Sequence, residues 1–200
     1  MSTNAEATAA AATVLAFIRV SRDDDGASFG AVIRTETAWF AVADRSPNYS
    51  PNAMELVSVE RVLSHISEKL GPSTLRMFVG EYVSKGAMML PVWKAHDWHR
   101  KPSVFSAKGS DRVGDKIANA DLWMDLDVAM VLHPSTSFET LASTGPEKKL
   151  WYNERAIAVT LAKRVGPIGF SWRDVTKVFR PRFNPSLLSP ANYDDPRDGG

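Results

Sequence analysis

The chain has 200 residues, 24 Lys or Arg against 23 Asp or Glu, and a 44% apolar content. That length supports one large domain, or one of about 150 residues with an extension, and six tryptophans with nine phenylalanines exclude a disordered chain. The absence of cysteine excludes disulfides, a thiol nucleophile and thiolate metal sites and is compatible with an intracellular location, while a net charge of +1 leaves any nucleic-acid surface to local patches.

Residues 1–12, MSTNAEATAAAA, carry no basic segment and read as a flexible leader, not a secretion signal. No apolar run reaches the roughly 18–20 residues of a membrane span. TVLAFIRV (13–20), SFGAVIRT (28–35) and AWFAVAD (38–44) are rich in β-branched and apolar residues and predict three strands in an antiparallel meander. SRDDDGAS supplies the first turn. The Pro/Asn loop 46–52 ends at Asn52, the expected cap of a helix over 53–70. Its apolar positions Met54, Val59, Val62, Leu63, Ile66 and Leu70 share one face, and Gly71-Pro72 stops it. TLRMFVG (74–80) predicts a fourth strand, 81–97 a helix interrupted at Pro91, and 101–116 a loop. An amphipathic helix follows over 119–132, a fifth strand over 137–143 and a last helix over 150–165. Three antiparallel strands followed by α-β alternation predict an α/β fold, a mixed five-stranded sheet with helices on both faces. Residues 166–200 hold five of the twelve prolines and read as an arm with a disordered end.

The element order and several phrases resemble the ribonuclease H family. Ala53-Met54-Glu55-Leu56 matches the family's Met-Glu-Leu helix opening, and Tyr82-Val83 with Gly86 its Tyr-Val-x-x-Gly. Trp93-Lys94 and Trp98-His99-Arg100-Lys101 resemble its tryptophan-rich basic segment. Asn119, Asp121, Leu122, Trp123, Leu126 and Asp127 match Asn-x-Asp-Leu-Trp-x-x-Leu-Asp, and Asn153-Glu154-Arg155 opens the last helix. The resemblance spans about 13–165, which defines a ribonuclease H-like domain there. It implies that the helix of Asp121, Asp125 and Asp127 is structural, with Leu122, Leu126 and Trp123 inward and the acids outward.

Members of that family cleave the RNA strand of an RNA/DNA hybrid with two divalent metals, held by four converging carboxylates. Carried over, the helix carboxylate is Glu55, whereas the other three positions fall on Arg19 (or Val20), Val79 (or Gly80) and Ile157. No histidine stands in the loop 143–146 where the family places one. The resemblance therefore implies a degenerate site with no metal, no cofactor and no metal-dependent cleavage, in which Arg19 pairs with Glu55 in place of a metal. A rebuilt, active site would need acids relocated to Asp23–Asp25, Glu81 or Glu154. His96 and His99 are spaced for a metal, but Lys94, Arg100 and Lys101 argue against one; His65 reads as surface, and His133 as a partner of a helix end.

Two basic aromatic segments are candidates for nucleic acid. Residues 94–116 hold Lys94, Arg100, Lys101, Lys108, Arg112 and Lys116 against three Asp, interleaved with Trp93, Trp98 and Phe105. The arm carries Arg173, Lys177, Arg180 and Arg182, with Lys163 and Arg164 before them, against Asp174. The expected partner is RNA, duplex RNA or an RNA/DNA hybrid. The alternative is a structural or protein-interaction module of a viral, retroelement or organellar assembly, docking a protein through the arm. The plainer reading of both segments is a solvated loop whose tryptophans pack on the domain, and an arm that folds back on it.

Overall fold

Alternation along the strands decides which layer each side chain joins. The computed structural model describes residues 13–99, 115–140, 152–164 and 170–176. The meander is β1 (Thr13–Asp23), β2 (Gly26–Arg34) and β3 (Trp39–Ser46), paired antiparallel. β1 runs on through Ser21 and Arg22, so the turn is tighter than expected and closes at Gly26, whose φ of 124° suits glycine. β4 (Thr74–Val79) pairs parallel with β1, and β5 (Thr136–Thr140) parallel with β4. Arg76 of β4 grips Glu139 of β5 through two hydrogen bonds of 2.9 Å.

The five expected strands are present, but the sheet has six. Phe170–Asp174 of the arm forms β6, antiparallel to β3, giving the order β5-β4-β1-β2-β3-β6. Trp172 stacks on Phe40 at 4.6 Å and lies beside His65, which is therefore half-buried and not surface. The arm's start thus packs on its own domain and covers the edge that β3 would otherwise expose. Proline and charge density hid a five-residue strand.

On one face lies α1 (Pro51–Leu70), burying Met54, Leu56, Val59, Val62, Leu63 and Ile66 against Ala16, Ile18, Phe29 and Ala31. Its cap is Ser50 and not Asn52: the Ser50 hydroxyl accepts from the Ala53 amide at 3.2 Å, and Pro51, preset for helical φ, takes the first turn. α2 (Glu81–Ala87) and α3 (Leu90–Ala95) follow β4. The break falls at Met88-Met89, and Pro91 sits in the first turn of α3, where no donor is lost. α4 (Ala120–Met130) packs on α1 through Trp123, Leu126 and Ala129, with Leu122 half-buried and Asp121 and Asp125 exposed. The carboxylates of that helix thus lie outside the core, as its resemblance implied. His133 is not a helix-end partner: it is buried, its Nδ1 accepts from the Ser73 amide at 3.3 Å, and its Nε2 therefore carries the proton toward the Leu63 carbonyl, 3.3 Å away.

Among the described residues α5 (Tyr152–Arg164) covers the other face. Ala158 and Ala162 press on Gly30 so closely that a Cβ there would lie 2.5 Å from the Ala158 carbonyl oxygen and the Ala162 amide nitrogen. Backbone cannot yield as a side-chain tip does. Gly30→Ala is expected to destabilise the domain by about 1–3 kcal/mol, the usual cost of overpacking, read as a lower urea midpoint at unchanged m-value.

Candidate functional site

Of the positions where the resemblance places catalytic carboxylates, Arg19 lies within β1, Val79 ends β4, Ile157 is on α5, and Glu55 is on α1 with its carboxylate at Gly80, just past β4. Glu55 leads there from the early turns of α1, fixed by the Ser50 cap. Its carboxylate fills the space a side chain at Gly80 would use: a Cβ on Gly80 would stand 2.1 Å from Oε1. Burial raises the Glu55 pKa above its ordinary 4.5, opposed by the amides of Gly80 and Val83 and by the charge of Arg19. Those amides act through their field, since Oε1 has no hydrogen bond of ordinary geometry among the described residues.

Arg19 continues the Leu15-Phe17 row of β1, opposite Gly30, on the face that α5 covers. Its Nη1 donates to the Ile18 carbonyl at 2.7 Å. Burial, and then the like charge of Arg155 on α5, lower its pKa to about 10, and Glu55 opposes them. It remains a cation at neutral pH. The expected Arg19–Glu55 ion pair is not made. Glu55 is near enough to bias Arg19 but no nitrogen–oxygen contact within 4.0 Å forms, because its carboxylate is drawn to the start of α2 and the Arg19 guanidinium turns to the β1 backbone.

Val79 is buried in the α1-side core, and Ile157 packs beside Leu15, Phe17 and Phe78. The acids that could rebuild a site are held elsewhere. Glu154 is buried against Arg34 at 2.9 Å, Asp23 and Asp25 pair with Arg45, and exposed Glu81 pairs with Lys85 at 2.6 Å. Among the described residues no group of three or more His, Asp or Glu could hold a metal. The two divalent metals that the fold family implies do not fit positions that supply one carboxylate, Glu55, near the cationic Arg19, since one carboxylate cannot neutralise them and the guanidinium repels them. Arg155 was overlooked in the sequence. Its signal was in view: it stands two residues before Ile157, in the phrase Asn153-Glu154-Arg155.

No protein-family model and no curated protein matches the sequence. Solved structures do. LC9-RNase H1, a type 1 RNase H with the type 2 active-site motif, aligns with a TM-score of 0.60 at 17% identity, over 89% of this chain and 84% of its own. The chain has the ribonuclease H fold. The PFV RNase H domain aligns with a TM-score of 0.51 at 13% identity, over 76% of this chain and 92% of its own. The foamy viral protease–reverse transcriptase in complex with an RNA/DNA hybrid aligns with a TM-score of 0.51 at 13% identity, over 78% of this chain and 20% of that one.

On this ribonuclease H fold five of the expected nucleic-acid residues fall among the described residues. Trp93 is half-buried, edge-on to Trp123 at 5.2 Å, and half-buried Trp98 packs on the same core. These rings pack on the domain's core through part of their surface. Lys94 and Lys116 are exposed but pair with Asp127 at 2.7 Å and Asp121 at 3.0 Å, so two acids of α4 neutralise them. Arg173 is exposed on β6, at the opposite edge of the sheet from β5, against which α2 packs. Arg100, Lys101, Lys108, Arg112, Lys177, Arg180 and Arg182 lie outside the described residues. Residues 99 and 116, which flank the first of those segments, meet in a single β-bridge, supported by the Ile117 amide donating to the Trp98 carbonyl at 2.9 Å. Among the described residues no helix is long and apolar enough to cross a membrane.

Trp98→Ala is expected to cost on the order of 1–3 kcal/mol of stability and to leave the nucleic-acid affinity of the folded fraction unchanged. Thermal melts and binding titrations on the one variant check both. A second expectation follows from Glu55. Its folded pKa exceeds its unfolded one, so its contribution to stability is fully present below pH 4.5 and is lost as pH rises through the folded value. The stability of the wild type relative to Glu55→Gln should therefore fall as pH rises above 4.5; urea titrations across pH 3.5–7.5 measure the difference.

Proposed function

We propose that this protein binds nucleic acid through a ribonuclease H fold and does not cleave it by a two-metal route. One observation carries the reading: three of the four carboxylate positions hold Arg19, Val79 and Ile157, and Arg19 stays cationic at neutral pH. Structures of the same fold include a reverse transcriptase in complex with an RNA/DNA hybrid and one in complex with dsDNA, which supports a duplex as the ligand class. The cations of 94–116 and of the arm from Arg173 to Arg182 supply phosphate contacts in this reading, and the cysteine-free composition fits an intracellular setting.

A protein-interaction role is the second reading. Val128, Val131 and Leu132 favour it, standing 70%, 75% and 51% exposed at the end of α4.

The test is a hybrid-cleavage assay with Mg²⁺ or Mn²⁺ beside a binding titration. The expected result is binding without cleavage, with affinity falling by a log–log slope of roughly 0.7–0.9 per phosphate contact as salt rises. Arg100→Glu with Lys101→Glu should weaken all sequences alike, because backbone contacts carry no base information. Cleavage abolished by Glu55→Gln overturns the non-cleaving part. Absence of binding to hybrid, duplex RNA and single strands at low salt overturns the nucleic-acid part and favours the protein partner.

A further inference from the structure

A cavity of about 400 Å³ opens between α2, α3 and the residues that flank 100–114. That volume falls in the range of small-ligand pockets, roughly 300–1,000 Å³. Tyr82 and Trp93 supply rings, Met89 and Val92 apolar chains, and Ile117 with Ala118 the side beyond 114. These walls are held in place before anything binds. Tyr82 and Trp93 both rest on buried Trp123, at 5.6 and 5.2 Å between ring centres. Residues 99 and 116 are bridged, and the Ile117 amide donates to the Trp98 carbonyl at 2.9 Å. Asp97, Trp98 and Asn119, on the two flanks, take left-handed φ angles of 49°, 61° and 59°. Such backbone is unfavourable for a side chain as bulky as tryptophan, persists only where surrounding contacts impose it, and clusters at ligand sites. A ligand therefore meets a preformed cavity and owes little ordering cost.

The polar side chains that line it present acceptors. His99 Nδ1 lies 2.6 Å from the Asp97 carbonyl, so it is the donor there and Nε2 of the neutral ring is an acceptor. The Tyr82 hydroxyl donates to the Ala118 carbonyl at 3.2 Å and accepts from Asn119 Nδ2 at 3.1 Å, which leaves it a lone pair and no free proton. Aromatic and apolar walls with acceptors suit a flat ring that carries N–H groups on its edge. A Leu or Phe side chain matches the walls and leaves the acceptors unanswered; a nucleobase matches both. Lys94 and Lys116 stand next in the chain to Trp93 and Ile117, and their exposed pairs with Asp127 and Asp121 yield to a phosphate at little cost.

We infer that this cavity receives one unpaired nucleobase of a bound nucleic acid, its ring against Trp93 and Tyr82 and its N–H edge toward His99. The source of the base rests on the nucleic-acid reading above; the cavity rests on its own walls. A base inside an intact duplex is stacked on both faces and paired at its edge, so it enters only if it leaves the stack. The substrate class is accordingly a nucleic acid with a base free of its partner: a bulge, a frayed end or a single strand.

The experiment uses the full chain and three kinds of probe. Adenosine and cytidine offer N–H edges without phosphate, N-acetylphenylalaninamide stands for a protein side chain, and an RNA/DNA hybrid with one bulged base is set beside its fully paired form. The indole Nε1–H NMR signal of Trp93, assigned with Trp93→Phe, reports the cavity. It should shift saturably with either nucleoside. The bulged hybrid should bind about tenfold tighter than the paired one, the scale of one base stacked on an aromatic side chain. Ala118→Leu narrows the cavity from an exposed position. It should abolish the nucleoside shift and the tenfold preference while leaving the affinity for paired hybrid unchanged. Met89→Phe, a second filling substitution at an exposed side chain, should do the same, and melting curves of both variants separate the effect from misfolding. Paired and bulged hybrids bound equally overturn the inference and leave the nucleic-acid reading intact. A nucleoside shift without binding of either hybrid assigns the cavity to a free nucleoside and overturns the nucleic-acid reading. A shift with N-acetylphenylalaninamide alone assigns the cavity to a protein side chain and overturns the inference. No response to any probe overturns both readings.

Discussion

The seating of α5 on β2 is the constraint on which the rest of the site depends. Gly30 has no side chain, and Ala158 and Ala162 have almost none, so helix and strand approach to backbone contact. Ser28 donates its hydroxyl to the Ala162 carbonyl at 2.6 Å, satisfying an acceptor near the helix C-terminus. At the other end Glu154 meets Arg34, which also lies 5.1 Å from the Trp39 ring centre. Both members of that ion pair are buried, so its net worth against apolar packing is small, but loss of one member would strand a charge at about 3–5 kcal/mol. The pair therefore fixes geometry more than it adds stability. A helix turns about 100° per residue. Once Glu154 faces β2, the direction of Arg155 is decided too.

Glu55 shows how a half-buried carboxylate can be held without a metal. Four converging carboxylates are tenable only around cations that hold them together. A single one needs only a local field of its own. Glu55 lies against the first residues of α2, where the amides of Gly80 and Val83 favour its charge. Gly80 and Glu55 are mutually committed: the carboxylate fills the side-chain space, and any side chain at 80 would evict it. Arg19 then experiences Glu55 as a nearby field and not as a contact partner. That is why its pKa falls in spite of the neighbour, with burial and Arg155 prevailing.

The fold was legible because its phrases are long-range packing instructions in local form. Leu126 and Trp123 must face α1, and their spacing in Asn119–Asp127 says so. The meander was legible from alternation, with Val14, Ala16 and Ile18 on one side and Leu15 and Phe17 on the other. Ser50 was missed because Asn52 caps equally well in isolation; only Pro51, fitting the first turn, decides between them. β6 was missed because a five-residue edge strand has no periodicity of its own, and its partner β3 supplies the order. The site was half legible. Substitution at three positions can be read by register, but Arg155 gains meaning only when Glu154 is seen to point into the sheet. The direct Arg19–Glu55 pair was a plausible electrostatic closure that the start of α2 outbid.

The same reasoning separates the two kinds of cation on this molecule. Arg45, Arg76, Lys85, Lys94 and Lys116 each have a carboxylate in contact, and most of those pairs are exposed. Exposed pairs are worth about 0–1 kcal/mol, so an arriving phosphate can displace the carboxylate at little cost, yet it also gains little, because the released Asp or Glu then stands beside it. Lys94 and Lys116 carry that handicap through Asp127 and Asp121. Arg19 and Arg155 have no contact carboxylate to displace among the described residues, and they are less hydrated than surface lysines.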